Sequence, residues 1–193
     1  GGPELHTAKQ CYICKARFTQ LHHFYAQLCP PCAALNYRMR NAAADLTGRV
    51  ALLTGARVKI GYETGLKLLR AGATLIATTR FPADAARRYA EEPDFGKFRH
   101  RLHLHGLDLR DVVTLEAFCA WLNAHLPRLD IIVNNAGIQH VAPVDEFPED
   151  KWNAIIAINM NSAFHLTKAA LPGMKARGWG RVINIASAHA LVA

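Results

Sequence analysis

The stretch RVALLTGARVKIG, from position 49 to position 61, constrains the fold more than any other part of the chain. Residues 50–53 form an unbroken apolar run, and a Thr-Gly pair follows before a segment with helical spacing. An apolar strand that passes through a glycine turn into a helix is typical of a βαβ unit, whose strands are buried on both faces. The free N–H groups of such a helix favour an anion such as a pyrophosphate. The sequence therefore predicts a central strand beside a nucleotide site.

Lys59 is the residue of this turn that the pattern does not explain, because it stands where a glycine would be expected. A glycine would let the backbone approach a ligand closely. A long cation either pairs with a phosphate of the ligand or pushes a dinucleotide off its usual path, and the sequence leaves both outcomes open.

Strands and helices alternate from Leu46 onward. Apolar runs predict strands at 50–53, 74–79, 102–107, 131–133 and 181–186, and helical spacing predicts helices at 61–71, 83–91, 115–122, 148–158 and 160–176. Gly72 is expected to end the first of these helices, and Cys119 is expected to be a buried core thiol. This alternation predicts an α/β fold with a Rossmann-like, doubly wound parallel sheet and right-handed crossovers.

Two C-x-x-C pairs set the first part of the chain apart, Cys11 with Cys14 and Cys29 with Cys32. Two such turns can present the four thiolates that a structural zinc ion prefers, so a zinc-ribbon-like module is predicted. Disulfides or a redox C-x-x-C are the alternatives. Since four cysteines fill the coordination shell, neighbouring His22 and His23 are not expected to bind the metal.

Length and charge bound the domain organisation. A chain of 193 residues with 51% hydrophobic content can bury one core plus a small appendage. We predict a zinc module with a linker helix at 1–45, the helix itself at 33–45, and a nucleotide-binding domain at 46–193. The net charge is +8, and residues 1–49, with six basic and two acidic side chains, carry half of it. Without an obvious recognition helix or interleaved aromatic residues, nucleic acid is not an expected partner.

No run of 18 apolar residues and no charged-then-apolar N-terminus occurs in the sequence. Neither a membrane span nor a signal peptide is therefore expected, and a cytoplasmic location is the default expectation.

An ordered set of short motifs follows the predicted strands. Thr54-Gly55 and Gly61 surround the first turn, Asp108 follows the third strand, N-N-A-G at 134–137 follows the fourth, and Ser187 follows the fifth, with Asn159 lying in I-N-M-N-S-A-F. From about position 46 to the end, this set resembles the short-chain dehydrogenase/reductase family. Residues 137–193 are similar in more detail to 3-hydroxybutyrate dehydrogenases.

The resemblance implies an NAD(P)-dependent oxidoreductase that transfers a hydride between nicotinamide and a small alcohol or ketone, a 3-hydroxy acid among the candidates. It implies catalytic roles for Ser187, which would bond the reacting oxygen, and Asn159, which would hold a water of a proton relay. Gln139 and His189 would bind the substrate carboxylate, although both fit ordinary surface positions equally well. A full domain of this family is expected to form a homo-oligomer. The expected cofactor-binding residues are Gly55, Arg57, Lys59, Ile60, Gly61, Arg80, Asp108, Asn135, Ala136 and Gly137.

Two of these positions can be interpreted further. Asp108 would accept a hydrogen bond from the adenine amino group, or it would cap the next helix instead. At the end of the second strand, Arg80 stands where NAD-binding sites place an acidic residue. Because arginine suits a 2′-phosphate, and Arg57 and Lys59 add positive charge, NADP is predicted as the cofactor, with NAD as the alternative.

The Tyr-x-x-x-Lys pair of the family does not occur before Ala193. We therefore expect the sheet to be incomplete at its C-terminal edge and the chain to be inactive alone. A non-catalytic dinucleotide-binding or scaffold protein, with the zinc module as its interaction surface, is the alternative.

Overall fold

The first unit of the chain, Gly1–Ala44, consists of a β-hairpin and one helix. Strands β1 (Glu4–Gln10) and β2 (Arg17–Gln20) pair antiparallel, and helix α1 covers Pro30–Arg40. The hairpin was not predicted, because its polar strands lack an alternating pattern. Helix α1 begins three residues before its predicted start and ends before the predicted Asp45. Pro30 and Pro31 occupy its first turn, where a missing N–H costs no hydrogen bond.

The second unit, Asp45–Ala193, contains a five-stranded sheet, and the structure, a computed structural model, describes residues 2–187 of the chain. All four strand pairs are parallel, in the order β5-β4-β3-β6-β7. The strands are β3 (Val50–Thr54), β4 (Thr74–Thr79), β5 (Leu102–Gly106), β6 (Ile131–Asn134) and β7 (Arg181–Asn184). The helices are α2 (Lys59–Arg70), α3 (Pro82–Ala90), α4 (Phe95–Phe98), α5 (Val112–His125), α6 (Glu149–Ile156) and α7 (Ser162–Ala176). The predicted doubly wound parallel fold is confirmed.

Alternate residues of β3 face two separate hydrophobic cores. Leu52 packs with Leu115 of α5 and Leu166 of α7, whereas Leu53 lies on the other face with Leu66 of α2. Tyr89 of α3 also belongs to this second core, and its side chain is fully buried. Helices therefore cover both faces of the sheet, which explains why its central strands are apolar throughout.

The strand order reverses next to β3. The chain passes from β3 to β4 and β5 on one side and then returns to β6 on the other. The helices that follow β3 and β6 consequently pack on opposite faces of the sheet, and open α/β sheets bind ligands in the crevice at the carboxyl ends of the strands where the order reverses.

Some helix boundaries differ from those that the spacing of apolar residues predicts. Helix α2 begins two residues before its predicted start and ends one residue before its predicted end, and Gly72 follows it with a φ of 100°. The two helices predicted at 148–158 and 160–176 are joined through a π-helical turn at Ala157–Asn161, which keeps the chain helical across the expected break. Cys119 is buried, as predicted. Within residues 2–187, no helix combines the length and the apolar character that crossing a membrane requires.

Asp130 fixes the end of the sheet opposite the crevice. Its fully buried carboxylate accepts hydrogen bonds from the Val50 backbone N–H at 3.0 Å and twice from the Arg128 guanidinium at 2.7 Å. Arg49 and Arg177 approach to 3.6 and 3.9 Å. Burial raises the pKa of Asp130, but these partners outweigh that effect and leave it below the ordinary value.

We predict that Asp130→Asn lowers the free energy of unfolding by about 3 kcal/mol, because it leaves several arginines without their shared anion. Urea denaturation followed by tryptophan fluorescence measures this, since Trp121, Trp152 and Trp179 all report on the second unit. The carboxylate stabilises the fold above its unfolded pKa of about 3.9, so the difference from wild type should shrink as the pH falls through the lower folded pKa.

The matched control is Asp150→Asn, which removes an equally charged but exposed side chain whose ion-pair partner is Lys151. An exposed pair contributes at most about 1 kcal/mol. Equal stability of the two variants would show that the Asp130 cluster does not anchor the sheet.

Candidate functional site

A cavity of about 390 Å³ lies at the carboxyl ends of the strands, where the strand order reverses. All ten residues predicted to bind the cofactor line it. The lining also contains residues that the sequence did not single out, namely Val58, Thr78, Thr79, Phe81, Leu107, Leu109, Ile138 and Ile158. Phe81 could have been recognised as an aromatic side chain beside Arg80, and its ring lies half-exposed at the cavity.

The glycine turn after β3 is packed against the loop after β6. Gly55 has a φ of 67°, and a Cβ there would lie 3.0 Å from the Ala136 Cα. At Gly61, a Cβ would lie 2.1 Å from the Gly55 carbonyl oxygen and 2.6 Å from the Asn135 Nδ2. Both positions therefore require glycine for close approach, as the sequence predicted.

Hydrogen bonds hold the two loops together. The buried Thr54 hydroxyl oxygen accepts from the backbone N–H groups of Asn135 and Ala136, each at 3.0 Å. In return, the Asn135 side-chain amide donates to the carbonyl oxygens of Thr54 and Gly55 at 3.0 and 3.3 Å. Asn135 thus shapes the cavity by fixing its turn. The Thr54 hydroxyl was not predicted to have a role, because its partners come from a loop some eighty residues away.

Lys59 is the first residue of α2 and has a φ of 53°, in the left-handed region that favours glycine. For a residue with a Cβ this conformation costs about 1–2 kcal/mol. The interpretation that a glycine would fit more easily at this position is therefore confirmed. No side chain caps the helix N-terminus, and no acidic residue lies in its first turn, so its free N–H groups remain available to a ligand.

The two arginines that line the cavity differ in their ion pairing. The Arg57 guanidinium donates to Asp84 at 2.8 Å, and hydrogen bonds from Arg57, Arg88 and Arg87 hold the pKa of that carboxyl well below its usual range. Arg80 is exposed at the end of β4, and its guanidinium lies 5.4 Å from the centre of the Phe81 ring. Arg80 is therefore freer than Arg57 to meet an incoming phosphate.

Asp108 is held in the cavity wall by the side chain of Arg110, whose hydrogen bonds lower the pKa of Asp108 to about 2. The carboxylate is thus an ionised hydrogen-bond acceptor near neutral pH. The alternative role as a helix cap is wrong, because Asp111 caps α5 by accepting from the N–H groups of Val113 and Thr114.

Comparison with known proteins agrees with this geometry. A family model described as short chain dehydrogenase matches residues 49–193. The chain belongs to the short-chain dehydrogenase family. The resemblance stated from the motifs is confirmed.

Relatives of this family are similar over the same part of the chain. D-beta-hydroxybutyrate dehydrogenase of Cupriavidus necator is 44% identical over 148 residues, covering 77% of this chain and 56% of that protein. The protein of the same name from Rhizobium meliloti is 37% identical, covering 75% and 56%. The crystal structure of a gluconate 5-dehydrogenase from Burkholderia cenocepacia, in complex with NADP and tartrate, matches with a TM-score of 0.66 and 34% identity, over 77% of this chain and 57% of that one. The chain thus spans about half the length of the curated relatives it matches.

Asn159, a predicted catalytic residue of this short-chain dehydrogenase chain, lies in the π-helical turn. Its side-chain oxygen accepts from the Ile138 backbone N–H, and its amide donates to the Ile138 carbonyl oxygen, both at 3.0 Å. The side chain therefore fixes the loop that follows β6. Extra residues in helical turns of the π type are frequent at functional sites.

Of the other residues predicted for catalysis and substrate binding, Ser187 and Gln139 lie among residues 2–187. Ser187 is exposed three residues beyond β7, and Gln139 is exposed in the loop after β6. Neither belongs to the lining of the cavity. His189 lies outside the described residues.

The four paired cysteines of the first unit converge. Their Sγ atoms all lie within 4.8 Å of one another, and those of Cys14 and Cys29 are 3.5 Å apart. Cys11 and Cys14 flank the hairpin turn, whereas Cys29 and Cys32 stand at the start of α1. Burial raises the pKa of the Cys11 thiol, but backbone hydrogen bonds from Cys29, Cys14 and Ile13 outweigh this effect and lower the pKa to about 6. None of the four forms a disulfide.

His22 and His23 have other partners. The His22 Nδ1 accepts from the N–H groups of Phe24 and Tyr25, and its ring centre lies 4.1 Å from that of His23. Neither histidine joins the group of converging thiols found among the described residues. Both rings also lie near the ring of Tyr37, with centres 5.4 and 4.7 Å away.

We predict that Gly61→Ala destabilises the second unit by about 1–3 kcal/mol, since its Cβ would overlap the Gly55 carbonyl and the Asn135 amide. Thermal unfolding of the variant checks this. Gly96→Ala is the control, because a Cβ at Gly96 has no neighbour within 4 Å and should leave the melting temperature unchanged or slightly higher. A Gly61→Ala variant as stable as the control would mean that the turn can open.

Proposed function

We propose that this chain is part of an NAD(P)-dependent oxidoreductase that transfers a hydride between nicotinamide and a small alcohol or ketone. The observation that carries the proposal is the cavity at the reversal of strand order, lined by all ten predicted cofactor residues, in a chain of the short-chain dehydrogenase family. When bound, the nicotinamide ring supplies the hydride donor or acceptor.

The residues present fit a dinucleotide. Gly55 and Gly61 let the turn after β3 pack closely against the loop after β6, beside the uncapped N-terminus of α2, which favours an anion such as a pyrophosphate. The ionised Asp108 offers an acceptor for an adenine amino group. These groups bind and orient the cofactor, and Asn135 holds the turn that positions it.

Positive charge favours NADP over NAD as the cofactor. Arg80, at the end of β4, forms no ion pair within 4 Å among residues 2–187, and its charge only helps Arg110 to lower the pKa of Asp108, whereas Arg57 is paired with Asp84. Two structures similar to this chain, the gluconate 5-dehydrogenase and a metagenomic short-chain oxidoreductase, are complexes with NADP. In this proposal Arg80 binds the 2′-phosphate, and Arg57 adds to the field around it.

The substrate proposed is a small 3-hydroxy acid or the corresponding keto acid. It is supported by the similarity to two proteins named D-beta-hydroxybutyrate dehydrogenase. Ser187 would bond the reacting oxygen and Asn159 would support the proton path, with Gln139 and His189 as carboxylate ligands. The cytoplasmic location, the division at residues 45 and 46, and self-association of the full domain stay predictions.

We predict that NADPH binds more tightly than NADH and that Arg80→Ala weakens NADPH about tenfold or more while leaving NADH unchanged. A charge-assisted hydrogen bond contributes about 1.5–3 kcal/mol, and only NADPH carries the 2′-phosphate. Titration of the purified chain, with nicotinamide fluorescence as the signal, measures both affinities.

Lys175→Ala is the control for this titration, since it removes the same charge from α7, outside the cavity lining. Absence of binding of either dinucleotide to the wild-type chain would contradict the proposed function. Equal loss of NADH and NADPH affinity in Arg80→Ala would contradict the role given to Arg80.

We further propose that Cys11, Cys14, Cys29 and Cys32 hold a structural zinc ion. Zn–S bonds of about 2.3 Å place tetrahedral sulfur ligands about 3.8 Å apart. The four sulfurs, within 4.8 Å of one another, need only small shifts to reach this geometry. The hydrophobic core around them is small, consisting of Phe18, Leu28 and Ala33 besides Cys11 and Cys29. A metal would therefore contribute much of the folding free energy of this unit.

We expect the chain purified under reducing conditions to contain one zinc ion, and the double variant Cys14→Ser, Cys29→Ser to contain none. Atomic absorption measures the metal. Cys119→Ala is the control, because this buried thiol belongs to the core of the second unit and should not change the zinc content. Wild-type protein without zinc, or the double variant with a full equivalent, would refute the assignment.

A further inference from the structure

The backbone of Lys59 is unusual even within this chain. Among residues 2–187, only Lys15 and Lys59 combine a side chain with a positive φ. Lys15 has a local partner, because its ammonium donates to the Tyr12 carbonyl oxygen at 2.7 Å. Within the described part of the chain, the Lys59 ammonium forms neither a hydrogen bond nor an ion pair, and it lines the cavity.

The charge of Lys59 is also unfavourable where it stands. Lys59 is the first residue of α2, where the helix dipole already places partial positive charge, and no acidic residue in the first turn offsets it. Both the left-handed backbone and the cation are therefore costly in the protein alone. An anion bound between the ammonium and the free N–H groups would make the positive charge of Lys59 stabilising.

The other cations of the cavity are placed for other tasks. Arg57 is held by Asp84 at 2.8 Å, and Arg80 lies at the end of the neighbouring strand β4. Of the two cations in the glycine turn, Arg57 and Lys59, only Lys59 forms no ion pair with a carboxylate among residues 2–187.

We propose that Lys59 binds the pyrophosphate of the dinucleotide and supplies there, through its charge, the affinity that a glycine could not supply. This inference rests on the proposed function. NADH and NADPH share the pyrophosphate, so Lys59 should support both equally, whereas Arg80 should act on NADPH alone. The strained backbone of Lys59 is then retained because the ammonium has to project from this turn.

Two substitutions separate the charge from the backbone. Lys59→Met keeps a long side chain and the backbone strain but removes the charge, so it should weaken NADH and NADPH by the same factor, about tenfold. Lys59→Gly removes charge and strain together. It should weaken both dinucleotides similarly while raising the melting temperature by ~2–4 °C. Lys175→Met, in α7, is the matched control for charge.

The measurements are fluorescence titrations with NADH and NADPH at low and high salt, a competition titration with adenosine, which lacks phosphate, and thermal unfolding. We expect the difference between wild type and Lys59→Met to shrink in high salt and to be absent for adenosine. Wild-type affinity for both dinucleotides in Lys59→Met, or tighter binding in Lys59→Gly, would overturn the proposal and show that Lys59 obstructs the site. Failure of wild type itself to bind either dinucleotide would instead overturn the proposed function.

Discussion

The hydrogen bonds of the Thr54 hydroxyl are the constraint on which the site depends. They tie the end of β3 to the backbone of the loop after β6, at the point where the strand order reverses. These bonds help to hold the two loops so close together that only glycine fits at positions 55 and 61. The Asn135 side chain closes the same junction from the other side. The strand topology therefore determines where the cavity lies, and the side chains of Thr54 and Asn135 hold together the two loops that line it.

Charge around the cavity is distributed by contacts made elsewhere in the fold. Asp84 of α3 binds three arginines, and this removes Arg57 from the groups that are free to meet a ligand. Arg110 holds Asp108 as an anion. What remains available is a cation at each of two strand ends, Lys59 after β3 and Arg80 after β4. A dinucleotide carries phosphates that such a pair could meet separately, which makes this separation meaningful for cofactor choice.

The first unit solves a different physical problem. Its core is too small to offset the loss of chain entropy, and its hairpin is short and largely exposed. The hairpin turn and the start of α1 bring four thiols together, and the proposed zinc ion would add the stability that this core does not supply. The thiols also interact with one another, since hydrogen bonds with Cys29 and Cys14 contribute most to raising the pKa of Cys32 to about 12.

The fold class, the alternation of strands and helices after position 46, and ten of the residues that line the cavity were predictable from the sequence, because these depend on local apolar runs, glycine turns and chain order. The sequence also indicated that a glycine would fit more easily than Lys59 at this position, which agrees with its positive φ. It missed the hairpin of the first unit, whose polar strands carry no periodic signal, and the π-helical turn that joins α6 to α7. Three features became clear from the folded chain: Thr54 joins the two loops, Asp111 rather than Asp108 caps α5, and Asp84 pairs with Arg57. The contacts of Thr54 and Asp84 join groups that are distant in the sequence, and spacing along the chain does not encode such distances. The cap of α5 is local, but it depends on the backbone path of the turn before the helix.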